Sequence, residues 1–227
     1  MRFTERNFEQ EVKNMGMVFL NSFFKFIFLL TPFFGLSMFL AMTQGYSVQD
    51  KRRLALRVGS SALVICLILF FFGRWLFEAL GITIDSFRIG GGGLLFLSAV
   101  GLVNSNAIDK KNVGVTKKDP DHLMHIAVVP LAIPIIVGPG TTAALLVLGA
   151  ELESMPLKIV NTLAMATALA VLTTMLVLSS WIEEKFGQQT ITVLSKITGL
   201  ILAAMAAQMI FTGIRAFLVA APAVAGA

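Results

Sequence analysis

Prolines and glycines interrupt one long uncharged stretch of this chain, and their spacing could create a binding site from backbone groups. No charged residue occurs in residues 126–150, a run long enough to cross a bilayer as a helix. Its centre reads Pro130-Leu-Ala-Ile-Pro134-Ile-Ile-Val-Gly138-Pro139-Gly140-Thr141-Thr142. Because proline has no N–H group, each proline leaves a helical carbonyl without its usual donor. In hydrocarbon such a carbonyl must be buried against protein or face a watery cavity.

Gly138 and Pro139 predict the start of a second half-helix, with glycine at the N-cap and proline at the first helical position. The N–H groups of Gly140, Thr141 and Thr142 would then be free inside the membrane. Such groups bind an anion or a carboxylate. A proline-kinked span without a ligand is the alternative interpretation.

A second interruption lies at Thr31-Pro32, in the first apolar run, and is expected to free the carbonyl of Phe28. Freed carbonyls suit an ammonium group or a small cation, so two such breaks could together bind a zwitterion. The four glycines at 90–93 predict close helix packing against the broken first span. A phosphate-binding loop is the rival interpretation, but the Lys-Ser/Thr ending of that motif is absent.

Composition places the chain in a membrane. Hydrophobic residues make up 56% of it, above the roughly 45–50% of soluble domains. The basic residues flank apolar runs, so the pI of about 9.6 reflects membrane topology, and no nucleic-acid partner is expected. His122 and His125 lie outside the runs, which argues against an intramembrane hydrolase or a metal centre. We therefore expect neither an enzyme nor a bound cofactor or metal.

Six apolar runs predict an all-α membrane protein with six transmembrane helices. The runs are 17–42, 58–73, 88–104, 126–150, 157–181 and 191–218. Three spans on each side of a basic linker require the second set to insert upside down. The predicted fold is therefore two inverted three-helix repeats, with the first and fourth helices broken at proline or glycine. The segments are a polar tail (1–16), the first repeat (17–104), the linker (105–125), the second repeat (126–220) and a C-terminal tail (221–227).

Basic residues also predict the orientation. They concentrate in the first loop and in the linker, at Lys51, Arg52, Arg53, Arg57, Lys110, Lys111, Lys117 and Lys118. The positive-inside rule puts both segments in the cytoplasm and both termini outside it.

Three motifs carry a resemblance to a known family. One is the central Pro130 to Thr141 motif, and the second is Leu80-Gly-Ile-Thr-Ile-Asp-Ser-Phe-Arg-Ile89 followed by the glycines. The third runs from Gly199 through Gln208-Met209 to Gly213-Ile214. Together they resemble the MarC family of bacterial and archaeal inner-membrane proteins, whose members include small-neutral-amino-acid transporters. The resemblance implies a multi-pass inner-membrane protein with a six-span, inverted-repeat fold related to amino-acid exporters.

The expected function is secondary transport of small neutral solutes, above all small neutral amino acids, through a site at the middle of the membrane. Apart from Lys25 near one end, no charged residue lies deep in a predicted span, which disfavours strongly charged substrates and a proton relay. A coupling ion, Na⁺ or H⁺, and a homo-oligomer are both compatible with the sequence. The alternative is a non-transporting membrane scaffold or partner protein. The predicted substrate-binding residues are Thr31, Pro32, Pro130, Pro134, Gly138, Pro139, Gly140 and Thr141.

The first break departs from the family pattern. The family usually has Asn-Pro there, whereas this chain has Thr31-Pro32. Threonine keeps a hydroxyl but lacks the donors and the carbonyl acceptor of the amide. The resemblance therefore implies that specificity can differ in this chain.

Overall fold

The structure, a computed structural model, describes residues 2–104 and 127–220. For residues 2–14, 127, 128, 130 and 220 it describes the backbone alone. The predicted linker (105–125) and C-terminal tail (221–227) lie outside the described residues. The helices are α1 (Arg2–Leu29), α2 (Pro32–Met42), α3 (Val48–Leu80), α4 (Ile84–Asn104), the π-helical segment π1 (Ala127–Ile136), α5 (Pro139–Glu151), α6 (Met155–Val177) and α7 (Ser179–Ala220). Helix α7 is interrupted at Gly187, where φ is 71°.

Five stretches of the described residues are long and apolar enough to cross a membrane. They are Met15–Met42, Val48–Leu80, Ile84–Asn104, Met155–Val177 and Ser179–Val219. The all-helical membrane class predicted from composition is thereby confirmed for the described residues. The remaining predicted span is split into π1 and α5, and each of these is too short to cross a bilayer alone.

Capping residues, rather than the limits of the apolar runs, determine where helices begin and end. Helix α3 begins after Ser47, whose hydroxyl accepts a hydrogen bond from the N–H of Asp50 at 3.2 Å. It ends at Gly81, where a φ of 63° suits glycine. The predicted second span, 58–73, was therefore too short, because the helix continues beyond the apolar run at both ends, past charged residues such as Arg57 and Arg74.

The outer helices expose apolar faces, whereas the two half-helices are buried. On α3 the exposed residues Val64, Ile68 and Phe71 follow one another at helical spacing. Water would disfavour such a surface, and hydrocarbon favours it. Helices α2 and α5 carry buried residues around their circumference, so both lie in the interior of the bundle.

The extensive helix–helix packing joins the two halves of the chain. Helix α4 packs on α5 and α7, helix α3 on π1, α5 and α6, helix α1 on α6, and helix α2 on α7.

Small residues permit this close approach. A Cβ atom built on Gly91 would lie 2.5 Å from the Cβ of Ala143 in α5, and one on Gly92 would lie 2.6 Å from Ile210 in α7. Close packing is confirmed for Gly91 and Gly92, whereas a Cβ atom on Gly90 or Gly93 would meet no atom within 4 Å. The predicted partner, the first span, was wrong, because the glycine face of α4 turns toward the second half of the chain.

Candidate functional site

The first break is confirmed at Thr31. Helix α1 ends at Leu29 and α2 begins at Pro32, and Thr31 between them has φ 47° and ψ 59°. A residue before proline is disfavoured in the right-handed helical region, and Thr31 adopts the left-handed one instead. For a residue other than glycine this conformation costs about 1–2 kcal/mol. Such strain is found where the surrounding structure imposes it, often at functional sites.

The carbonyls at this break are arranged differently from the prediction. The carbonyl of Phe28, expected to be free, accepts a hydrogen bond from the N–H of Thr31 at 3.1 Å. The carbonyl of Leu29 instead accepts a hydrogen bond from the hydroxyl of Thr141 in α5, at 3.0 Å. This buried bond connects the first break directly to the second.

The second break is made by residues that precede proline. Val129 and Ile133 inside π1 have extended conformations, with φ near −126° and −127°, and Pro130 and Pro134 follow them. The peptide bond between Ile133 and Pro134 is cis. Beyond it the N–H of Val137 donates to the carbonyl five residues earlier at 2.9 Å, as in a π-helix.

The second half-helix begins where the sequence predicts. Gly138 is the N-cap of α5, and Pro139 occupies the first helical position. The N–H of Thr142 is not free as expected, because it donates to the carbonyl of Gly138 at 2.8 Å. The N–H groups of Gly140 and Thr141 are the ones without an acceptor inside the helix, since they lie in its first turn.

A cavity of about 350 Å³ lies where the two breaks meet. It is lined by Thr31, Phe34, Leu95, Ser98, Gly101, Leu102, Pro134, Ile135, Gly138, Pro139, Thr141 and Leu202. No charged side chain is among these described residues. The volume lies near the lower end of the roughly 300–1,000 Å³ found for ligand sites, which suits a small molecule.

Three hydroxyl groups belong to the cavity wall. Those of Ser98 and Thr141 donate to backbone carbonyls, of Leu94 at 2.9 Å and of Leu29 at 3.0 Å. The hydroxyl of Thr31 forms no hydrogen bond with any other described residue. The cavity therefore combines an apolar wall with a small number of polar groups, the usual composition of a small-molecule site.

The structure brings together five of the eight predicted residues: Thr31, Pro134, Gly138, Pro139 and Thr141 line the cavity. Of the other three, Pro32 is buried behind the wall at the start of α2. Of Pro130 only the backbone is described.

Gly140, the third residue outside the wall, packs against α4 instead. A Cβ atom built on it would lie 2.5 Å from the Cα of Leu95.

Sequence reasoning missed the contribution of α4 and α7. Leu95, Ser98, Gly101 and Leu102 of α4 and Leu202 of α7 complete the wall. The only signal was indirect, since the small residues on these helices indicate close packing but not the partner. Among the described residues, no group of three or more histidine, cysteine, aspartate or glutamate side chains could hold a metal ion.

Comparison with known proteins places the chain among integral membrane proteins. Residues 16–218 match the family described as MarC family integral membrane protein. Similar proteins include a UPF0056 membrane protein of Methanocaldococcus jannaschii, 31% identical over 87% of this chain and 96% of its own length. UPF0056 membrane proteins of Aquifex aeolicus (29% identical; 90% and 95% covered) and Escherichia coli (28%; 85% and 92%) are also similar.

These names identify membrane proteins and specify no activity. No solved structure matches the chain. The family match extends over both breaks and every helix that lines the cavity, so the chain belongs to the MarC family of integral membrane proteins.

Proposed function

We propose that this protein is a secondary transporter of small neutral solutes, with small neutral amino acids as its substrates, and that the cavity between the two breaks is the binding site. The observation that carries the proposal is the position of this cavity: it lies where two interrupted spans meet and where backbone groups lack helical partners. Interrupted spans in the two halves of a chain are the backbone arrangement found at transporter binding sites.

The groups on the wall suit a zwitterion. The N–H of Thr141 at the positive end of α5 would bind the carboxylate, together with the free hydroxyl of Thr31. The ammonium group would bind the carbonyl of Leu29, displacing the hydroxyl of Thr141 that now occupies it. The absence of charge from the described wall favours a solute that is neutral overall, because a net charge would need a buried counter-charge.

The proposal includes six spans in two inverted repeats, with π1 and α5 together forming the fourth span. In its support, each half starts with a broken span whose second part has proline at the first helical position, Pro32 in α2 and Pro139 in α5. The extensive packing between helices of opposite halves also suits two interlocked repeats.

The proposed location is the inner membrane, with both termini outside the cytoplasm. Arg52, Arg53 and Arg57 support this orientation, since they lie in the first turns of α3, at the end of the bundle proposed to face the cytoplasm. The proposal includes no catalytic activity and no bound cofactor.

Uptake into proteoliposomes tests the transport function. Purified protein is reconstituted, and entry of radiolabelled glycine or alanine is measured under Na⁺ and H⁺ gradients against empty vesicles. Absence of flux above empty vesicles would remove the transporter proposal and leave a membrane scaffold. A scaffold needs no internal cavity, so the cavity at the breaks speaks against that alternative.

A matched pair of variants in α4 tests the position of the site. A Cβ atom on Gly101 or on Gly93 would meet no atom within 4 Å, but only Gly101 lines the cavity. Gly101→Leu should therefore fill the cavity and abolish uptake, whereas Gly93→Leu should leave uptake unchanged. Equal uptake by the two variants would place the site elsewhere. Gly140→Leu is a poorer probe, because its side chain would collide with the backbone of Leu95.

A further inference from the structure

A second cavity of about 280 Å³ follows the first along the same helices. On α4, Leu95 borders both cavities, whereas Arg88, two turns earlier, lines only the second. On α5 the wall passes from Thr141 in the first cavity to Glu151 in the second. Leu29 lines the second cavity, and its carbonyl bonds to the wall of the first. Leu95 is the one described residue that lines both cavities, so they adjoin each other at its level.

The second cavity differs from the first because it contains charged groups. The guanidinium of Arg88 is paired with two carboxylates: its Nε and Nη2 donate to Oε1 of Glu151 at 2.8 and 2.5 Å, and its Nη1 donates to Asp85. These two carboxylates already balance the charge of this arginine. Both contacts with Glu151 use Oε1, so its Oε2 is left for another donor.

Lys25 is a second cation on the wall of this cavity. Among the described residues no carboxylate lies within ion-pair distance of it. Its side chain is exposed, and it lies eight positions after the start of the apolar run at Met17, which is about 12 Å along the helix. A charged side chain at that depth needs water or a partner, and the cavity provides room for both. Gln208 of α7 lines the same cavity, and its amide makes no hydrogen bond to another described residue.

We propose that this second cavity is a binding site for small amino-acid zwitterions, separate from the site at the breaks. The ammonium group of Lys25 and the amide of Gln208 bind the carboxylate, and Oε2 of Glu151 binds the substrate's ammonium group. The inference rests on the proposed function in one respect: during transport, a solute would bind at this site before or after it passes Leu95. Binding at this site itself needs no transport.

Cysteine reactivity in liposomes tests the charge and the access of the cavity. Cys66, which is buried in α3, is replaced by alanine, and Met205→Cys places one thiol on the cavity wall. Its reaction is timed with an anionic and with a cationic methanethiosulfonate reagent. Relative to its reaction with a free thiol in solution, the anionic reagent should be favoured over the cationic one, and Lys25→Met should lower the anion-to-cation ratio about fivefold, as expected for one charge across a watery cavity. Lys196→Met, which removes a lysine from outside the cavity, should leave the ratio unchanged.

Protection by small molecules tests the substrate class. Glycine should slow the reaction of the thiol in a protein that retains Lys25, and it should give no protection after Lys25→Met. Acetate, which lacks the ammonium group, and methylamine, which lacks the carboxylate, should protect less than glycine. Protection by acetate equal to that by glycine would overturn the zwitterion assignment, because Glu151 would then have no role.

The remaining outcomes also decide the proposal. Equal ratios with and without Lys25, or no reaction in liposomes, would overturn it. Reaction in detergent but not in liposomes would mean that lipid fills the cavity, and this too would overturn it. None of these measurements depends on flux. If glycine protects the thiol but is not taken up, this site stands and the transport function is refuted. If glycine is taken up but does not protect the thiol, the transport function stands and this site is refuted.

Discussion

The hydrogen bond between Thr141 and Leu29 leads to a quantitative prediction about stability. It joins residues 112 positions apart, and both are buried, at 5% and 4% exposure. Thr141→Val keeps the shape of the side chain and replaces the hydroxyl with a methyl group. The carbonyl of Leu29 then loses its donor, and a buried acceptor without a partner costs about 1–3 kcal/mol.

The cavity beside the bond lowers the expected cost of losing it. Because Thr141 lines the cavity, water can reach the freed carbonyl and replace part of the lost interaction. We therefore expect Thr141→Val to lower the free energy of unfolding by about 1–2 kcal/mol, near the lower end of the range for an unpaired acceptor. Denaturant unfolding in detergent micelles, followed by tryptophan fluorescence and far-UV circular dichroism, measures this loss.

Thr142 provides the matched control. It is the next residue of α5, and its hydroxyl makes no hydrogen bond to another described residue. Thr142→Val should change the free energy of unfolding by less than about 0.5 kcal/mol. If the two valine variants were equally stable, the bond would not hold the two breaks together.

Three further predictions concern backbone strain, packing and the layer between the cavities. Thr31→Asn should raise the free energy of unfolding by up to about 1 kcal/mol, since asparagine tolerates the left-handed conformation better than threonine; no gain would argue against strain there. Gly140→Ala should destabilise the protein by about 1–3 kcal/mol, because its Cβ would meet the backbone of Leu95. Gly93→Ala, whose Cβ meets nothing, should be neutral or stabilising in the same unfolding assay, and equal effects of the two would refute the packing argument. Leu95→Ala should join the two cavities and let glycine leak from loaded proteoliposomes; an unchanged leak from a variant that remains folded would show that Leu95 does not separate them.

Local backbone chemistry made part of the fold predictable. The breaks at Thr31 and Gly138 follow from the missing N–H and the fixed φ of proline, which act whatever the partner helix is. The left-handed conformation of Thr31 was not predictable, because proline excludes one region of φ and ψ without selecting among the others. The start of α3 after Ser47 was not predicted, because the apolar run begins only at Val58 and the capping residue lies outside it.

Sequence patterns could not predict contacts between residues that are distant in the chain. Nothing in the spacing of Leu95 or Ser98 indicates that they share a wall with Thr141, since that depends on how α4 and α5 cross. Lys25 shows the same limitation, since its place near one end of an apolar run does not indicate that it lines a cavity together with α4, α5 and α7.

The packing between opposite halves has a consequence for biosynthesis. A ribosome releases α1 to α4 into the bilayer before their main packing partners have been made. Until then the glycine face of α4 meets only lipid tails, and the polar groups at the Thr31 break have no second break to complete them. We therefore expect the helices of the first half to associate only loosely until their partners in the second half have been inserted.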